Sequence, residues 1–142
     1  MHIEIAKQAD EELYEAFQRL ILQLTQTSAP PSLDLLQALI ADTSSTLLLA
    51  RDESNKIVGA LTLVIYHVPT GIRSIIEDVI VDESARGQKV GEQLMLKAIE
   101  IAKEKKASNI SLTSNPQRVV ANRLYIKLGF TKRETNSYQL KL

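Results

Sequence analysis

Two long apolar runs sit back to back in the middle of the chain and restrict its fold more than any other feature. IVGALTLVIYHV (57–68) and IRSIIEDVIVD (72–82) are separated only by PTG (69–71). Both are rich in β-branched residues, which pack well on a pleated surface and crowd a helix. Pro and Gly in the connection turn the chain. The two runs therefore read as adjacent central strands of a sheet, and the rest of the chain must supply what covers them.

The flanking segments supply it. HIEIA (2–6) reads as a short strand, and Asp10 opens a helix with Leu13, Phe17, Leu20, Ile21 and Leu24 at helical spacing. TSAPPS (27–32) is a loop, since Pro30 and Pro31 cannot continue a helix. Ser32 can cap a second helix carrying Leu35, Leu36, Leu39 and Ile40. STLLLARD (45–52) is a strand that precedes the central pair. After that pair a helix is expected from about Lys89 to Lys106, with Gly91, Leu94, Met95, Ala98, Ile101 and Ala102 as its apolar stripe. NISLT (109–113) is the next strand. Asn115 as N-cap and Pro116 as first helical residue then start a helix that Gly129 ends. FTKRETNSYQLKL (130–142) is expected to form two short final strands with a turn near Glu134–Asn136. This order predicts a single domain over residues 1–142 of the α/β (α+β layered) class. Its central sheet is mixed, mostly antiparallel and flanked by helices.

Composition narrows the function classes. The 142 residues are 44% hydrophobic, enough for a core, and 17 basic side chains balance 17 acidic ones. A general nucleic-acid surface needs an excess of positive charge, so no nucleic-acid partner is expected. The absence of Cys excludes disulfides, thiolate zinc ligands and a Cys nucleophile. His2 and His67, the only histidines, are far apart, and no metal site is expected. Ser111, Thr113 and Ser114 lack the His and Asp partners of a Ser-nucleophile triad. The start MHIEIAKQADEEL has no apolar secretion core and no run is long enough for a membrane span, so a soluble cytoplasmic protein is expected.

Two segments carry chemistry. In VDESARGQKVGEQLM (81–95) an apolar strand gives way to Arg86, Gly87, Gln88, Lys89, Val90 and Gly91 and then at once to a helix. A helix start leaves N–H groups unpaired and carries partial positive charge, so this junction can cradle an anion or be an ordinary solvated turn. It matches neither GxxxxGK[ST] nor GxGxxG, which argues against a nucleoside-triphosphate loop and a dinucleotide fold. In SNPQRVVANRLYIKLGF (114–130), Asn122 and Tyr125 fall about 40° and 20° to either side of Arg118 on a helical wheel. They form one polar stripe beside the apolar face of Val120, Ala121, Leu124 and Leu128.

Taken together, EDVIVDESARGQKVGEQLM and ISLTSNPQRVVANRLYIKLGF resemble the GCN5-related N-acetyltransferase family, closely from about Glu77 to Phe130. The resemblance implies that Arg86, Gly87, Gln88, Lys89, Val90 and Gly91 bind the pyrophosphate of acetyl-CoA through backbone amides. It implies that Val79, Ile80 and Val81 line the pantetheine arm, and that Asn122, with Asn115 at the same helix start, contacts the donor. Tyr125 would sit near the sulfur. The family pattern is Arg/Gln-x-x-Gly-x-Gly/Ala, and Lys89 stands here at the middle Gly.

Acetyl transfer to an amine needs a neutral nucleophile, donors for the oxyanion and a proton for the thiolate. Tyr125 is the expected general acid, and the backbone N–H of Val81 or a neighbour the expected oxyanion donor. Glu77 and Asp78 lie in an otherwise apolar strand, on opposite faces by simple alternation. Glu77 can accept a proton through water, anchor a cationic substrate, or merely pair with Arg73, His67 or a backbone group. The expected activity is direct transfer of acetyl from acetyl-CoA to a primary amine of a small molecule or a protein. The alternative is a non-catalytic acyl-CoA-binding or sensing module of the same fold. A homodimer is plausible from the family and from the apolar C-terminal edge.

Overall fold

The structure is a computed structural model describing residues 1–142. Its residues group into two compact units, Met1–Leu112 and Thr113–Leu142. The first contains β1 (His2–Ile5), α1 (Glu11–Leu24), α2 (Leu33–Ala41), β2 (Ser45–Arg51), β3 (Ile57–Val68) and β4 (Gly71–Val81). A short 3₁₀ turn (Glu83–Ala85), α3 (Val90–Glu104) and β5 (Ile110–Ser111) complete it. The second contains α4 (Val119–Lys127).

The sheet has five strands in sequence order, antiparallel from β1 to β4 and parallel between β4 and β5. The mixed, mostly antiparallel sheet expected from the sequence is therefore present. A parallel pair requires a long crossover, and α3 provides it. Pro69 and Thr70 make the tight β3–β4 turn, since Val68 pairs with Gly71.

Local chemistry sets the helix starts. The Asp10 carboxylate accepts from the Leu13 N–H at 2.9 Å, and the Ser32 hydroxyl accepts from the Leu35 N–H at 3.1 Å. Each cap satisfies one of the orphan donors of a first turn. Leu13, Ala16, Phe17, Leu20 and Ile21 form the buried stripe of α1. With Leu36 they pack on Leu47, Leu49, Ile57, Ala60 and Ile80, one face of the sheet. Leu35 is 59% exposed, so it leaves the stripe expected for α2. Leu48 and Ala50 face the other side by strand alternation and are also fully buried. There α3 packs on β2, β3 and β4 with Val90, Leu94, Met95, Ala98, Ile101 and Ala102, close to its expected stripe.

Three expected element boundaries also fail. The segment 109–113 pairs as a strand only at Ile110 and Ser111, held by Ser74, whose hydroxyl donates to the Asn109 carbonyl at 2.7 Å. The last helix starts at Val119 instead of Pro116 because Asn115 builds a separate turn. Its Oδ1 accepts from the Gln117 N–H at 2.9 Å, and its carbonyl accepts from Arg118 N–H and Asn122 Nδ2, each at 3.0 Å. Residues 130–142 form neither of the two expected strands, and Tyr138, Leu140 and Leu142 are exposed. Strand conformation is stabilised by a ladder, and these residues have no ladder partner. No helix is long and apolar enough to cross a membrane.

Candidate active site

Arg86–Gly91 connects the 3₁₀ turn to α3. Gly87 adopts φ +79, and a Cβ built on it would meet nothing within 4 Å, so its glycine serves backbone conformation beside open space. Lys89 is also left-handed, at φ 62 and ψ 24, and it is the N-cap of α3 without a side-chain capping bond. That conformation costs a residue with a Cβ about 1–2 kcal/mol. Left-handed residues alternating with others turn successive N–H groups to one side, a backbone nest suited to anions. The first bond into the body of α3 runs from the Gln93 N–H to the Lys89 carbonyl at 3.0 Å. The N–H groups of Val90 and Gly91 therefore lack a carbonyl one turn back. Arg86, Gly87, Gln88 and Lys89 are exposed and Val90 is buried, so the loop faces outward from a core anchor. This geometry fits a pyrophosphate-like anion.

Gly59 sets how closely that anchor approaches the sheet. A Cβ there would lie 2.9 Å from Val90 Cγ1, 3.1 Å from the Ile80 carbonyl and 3.2 Å from Leu94 Cδ1. Sequence reasoning missed this role, although a lone Gly inside a strand run signals close approach.

β4 enters the loop through Val79, Ile80 and Val81. Ile80 is 3% exposed and belongs to the core, while Val79 and Val81 are half-buried. Ala60 pairs with Ile80 and Thr62 with Glu77, so β4 carries one extra residue, and Asp78 takes φ +50. This β-bulge breaks the simple alternation expected across Glu77 and Asp78. Both carboxylates are exposed, not enclosed in the strand, and neither is in an ion pair. Arg73 donates to the Thr70 hydroxyl at 2.6 Å and His67 is exposed, so neither is the partner of Glu77. Partial burial raises the Glu77 pKa and the neighbouring Asp78 charge adds to it. β5 pairs with β4 only at Ser74 and Ile75, which leaves the later outer edge of β4 without a strand beside it. Such an edge can accept an extended ligand as a further strand would be accepted.

In the second unit the structure gathers Asn115, Arg118, Asn122 and Tyr125. Arg118 is the N-cap of α4, and Asn122 is tied to the Asn115 carbonyl. The Phe130 N–H donates to the Tyr125 carbonyl and the Gly129 N–H to the Ile126 carbonyl, each at 3.0 Å, with Gly129 at φ +99. This is a Schellman ending, and its usual apolar contact is made by the Tyr125 and Phe130 rings, whose centroids are 6.1 Å apart. Gly129 thus ends the helix as expected. Tyr125 is 6% exposed. Burial pushes its hydroxyl pKa up, against an opposing effect of Arg118. The Phe130 contact was not anticipated from the sequence.

A cleft of about 540 Å³, lined by Glu4, Asp10, Glu12 and Arg51 among others, shares no residue with these two groups. Its Arg51 is already paired with Glu4 at 2.6 Å and Glu12 at 2.7 Å.

The chain matches known proteins over nearly its full length. A transcriptional regulator of known structure, from Bacillus halodurans C-125, is 29% identical with TM-score 0.78, covering 99% of this chain and 100% of that one. An acetyltransferase from Trypanosoma brucei is 26% identical with TM-score 0.79, covering 99% of both. An aminoglycoside antibiotic 6'-N-acetyltransferase from Acinetobacter haemolyticus shares the fold at 22% identity and TM-score 0.78, over 100% of this chain and 99% of that one. No curated protein sequence matches. The sequence model of the Acetyltransferase (GNAT) family matches residues 9–130, both chemistry-bearing segments included; the chain belongs to that family and is an N-acyltransferase of its type.

Proposed function

We propose that this enzyme moves the acetyl group of acetyl-CoA directly to a primary amine, with no covalent enzyme intermediate. The observation that carries the reading is the outward-facing loop Arg86–Gly91, left-handed at Gly87 and Lys89 and continuous with the start of α3. Its amides hold the pyrophosphate, and Arg86 and Lys89 add charge. Val79, Ile80 and Val81 line the pantetheine arm, and Asn115 and Asn122 contact the donor.

Acetyl-CoA would supply a thioester whose carbonyl the amine attacks; the C–N bond forms first, and the C–S bond breaks as the resulting oxyanion collapses. Tyr125 gives its hydroxyl proton to the departing sulfur and regains one, through solvent, from the nitrogen of the new amide; burial keeps the phenol protonated until that transfer. Glu77 takes the proton of the ammonium through water, and its raised pKa makes it a better base than an ordinary carboxylate. The N–H of Val81 or a neighbour stabilises the oxyanion.

A small-molecule amine is favoured over a protein amine as acceptor. A solved aminoglycoside acetyltransferase shares the fold, and the unpaired Glu77 and Asp78 suit a cationic acceptor. A cytoplasmic setting and a homodimer belong to the same proposal. Tyr138, Leu140 and Leu142, apolar at alternate positions and all exposed, support the dimer, and light scattering tests it.

Calorimetric titration with acetyl-CoA, with inorganic phosphate as control, tests the donor. Selective binding followed by CoA release over a panel of amines is expected. Selective binding without turnover on a broad panel would favour the non-catalytic acyl-CoA module. No binding by folded protein would overturn the donor assignment.

A further inference from the structure

One buried charge has no part in the chemistry above. Asp82, the residue after β4, is 4% exposed. Its Oδ1 accepts from the Ser84 N–H at 3.0 Å and the Ser84 hydroxyl at 2.9 Å. Its Oδ2 accepts from Arg19 Nε at 2.9 Å, and the same guanidinium donates through Nη2 to the Ile57 carbonyl at 2.6 Å. One turn along α1, Gln23 Oε1 accepts from the Glu83 N–H at 2.9 Å. Residues four apart lie on one helix face, so α1 grips Asp82 and Glu83, where the 3₁₀ turn begins, from a single side.

The apolar stripe of α1 already fastens that helix to the sheet. What the polar contacts add is a defined path for the 3₁₀ turn, and the loop Arg86–Gly91 begins directly at its end. A loop held in place before binding spares the ligand the entropy of ordering it. We infer that Arg19 and Gln23 are positioning residues for the donor site: through Asp82 and Glu83 they hold the turn from which the Arg86–Gly91 amides converge. The inference rests on the reading of that loop as the acetyl-CoA cradle.

The test titrates acetyl-CoA into wild type, Arg19→Met, Arg19→Lys, Gln23→Ala and Leu36→Ala, each verified as folded at the working temperature. Leu36→Ala truncates the α2 core and controls for general loss of stability. Arg19→Met is expected to weaken acetyl-CoA binding about fivefold or more. Gln23→Ala should weaken it less, and should carry the test if Arg19→Met does not fold. Arg19→Lys should recover part of the affinity, because it keeps the charge at Asp82 but cannot also reach the Ile57 carbonyl. Leu36→Ala should bind like wild type. With any amine that wild type turns over, KM for acetyl-CoA should rise while kcat holds. Wild-type affinity in both Arg19→Met and Gln23→Ala overturns the inference and leaves the cradle standing. Equal weakening in Leu36→Ala also overturns it, since the loss then follows stability. A folded wild type that does not bind overturns the cradle, and the inference with it.

Discussion

Replacing Lys89 separates backbone strain from charge at the loop Arg86–Gly91. Lys89 sits at φ 62 and ψ 24, where a residue with a Cβ loses about 1–2 kcal/mol and glycine loses nothing comparable. Glycine gives back about 0.4–1 kcal/mol through the freedom of the unfolded chain. Lys89→Gly is therefore expected to stabilise by about 0.5–1 kcal/mol. For a chain of 142 residues that raises the unfolding midpoint by about 1–4 °C. Lys89→Ala removes the same charge but keeps the strain, so it should stay near wild type. Gly87→Ala, at φ +79 with open space around it, is the reverse change and should lose about 0.5–1 kcal/mol net of the same unfolded-chain term. Urea unfolding followed by circular dichroism measures all three. Acetyl-CoA titration should find the two Lys89 variants weakened alike, because both lose the cation. If Lys89→Gly is no more stable than Lys89→Ala, or if Gly87→Ala is neutral, left-handed strain does not govern this loop.

Gly59→Ala should destabilise by about 1–3 kcal/mol, since its Cβ would press 2.9 Å from Val90, and acetyl-CoA affinity should fall as α3 shifts. A neutral substitution would show that α3 has slack. Tyr125→Phe should lower kcat by about 10² or more while the Kd for acetyl-CoA holds; unchanged kcat removes Tyr125 as the acid. Burial pushes Asp82 up, but the Ser84 N–H and hydroxyl and the Arg19 guanidinium outweigh it and leave its pKa lowered. A folded pKa below the unfolded value, about 3.9, means a contribution fully present above that value and lost as pH falls through the folded pKa. Denaturation from pH 6 downward should show this loss in wild type and not in Asp82→Asn; equal slopes would refute the network's role.

The helix starts at Asp10 and Ser32, the run 57–68 and the Gly129 ending were legible because each depends on neighbours a few residues away. A capping side chain needs only the next turn, and a β-branched run carries its own preference. The strand-to-helix junction at Arg86–Gly91 was legible for the same reason, but the apolar face expected on the last helix was not: Tyr125 is its buried residue, Val120 is 81% exposed, and Arg118 is the N-cap outside the helix. The Asp78 bulge was not, because it is defined by a mismatch with β3, and it broke the alternation assumed for Glu77. The tail 130–142 has the period-two apolar pattern of a half-buried strand at Tyr138, Leu140 and Leu142, yet it is exposed and pairs with nothing.

Arg19 and Asp82 are 63 residues apart, and no local rule joins them. Gly59 reads as a weak point in a strand until Val90 is found pressing on it. The sequence by itself determined the first helices and the central strands and marked the segments proposed to carry chemistry, since those follow from short-range sterics and hydrogen bonding. Only the tertiary structure decided which strand bulges, which edge stays open and which side chains contact Asp82 and Glu83, because those contacts exist only once distant backbones are brought together.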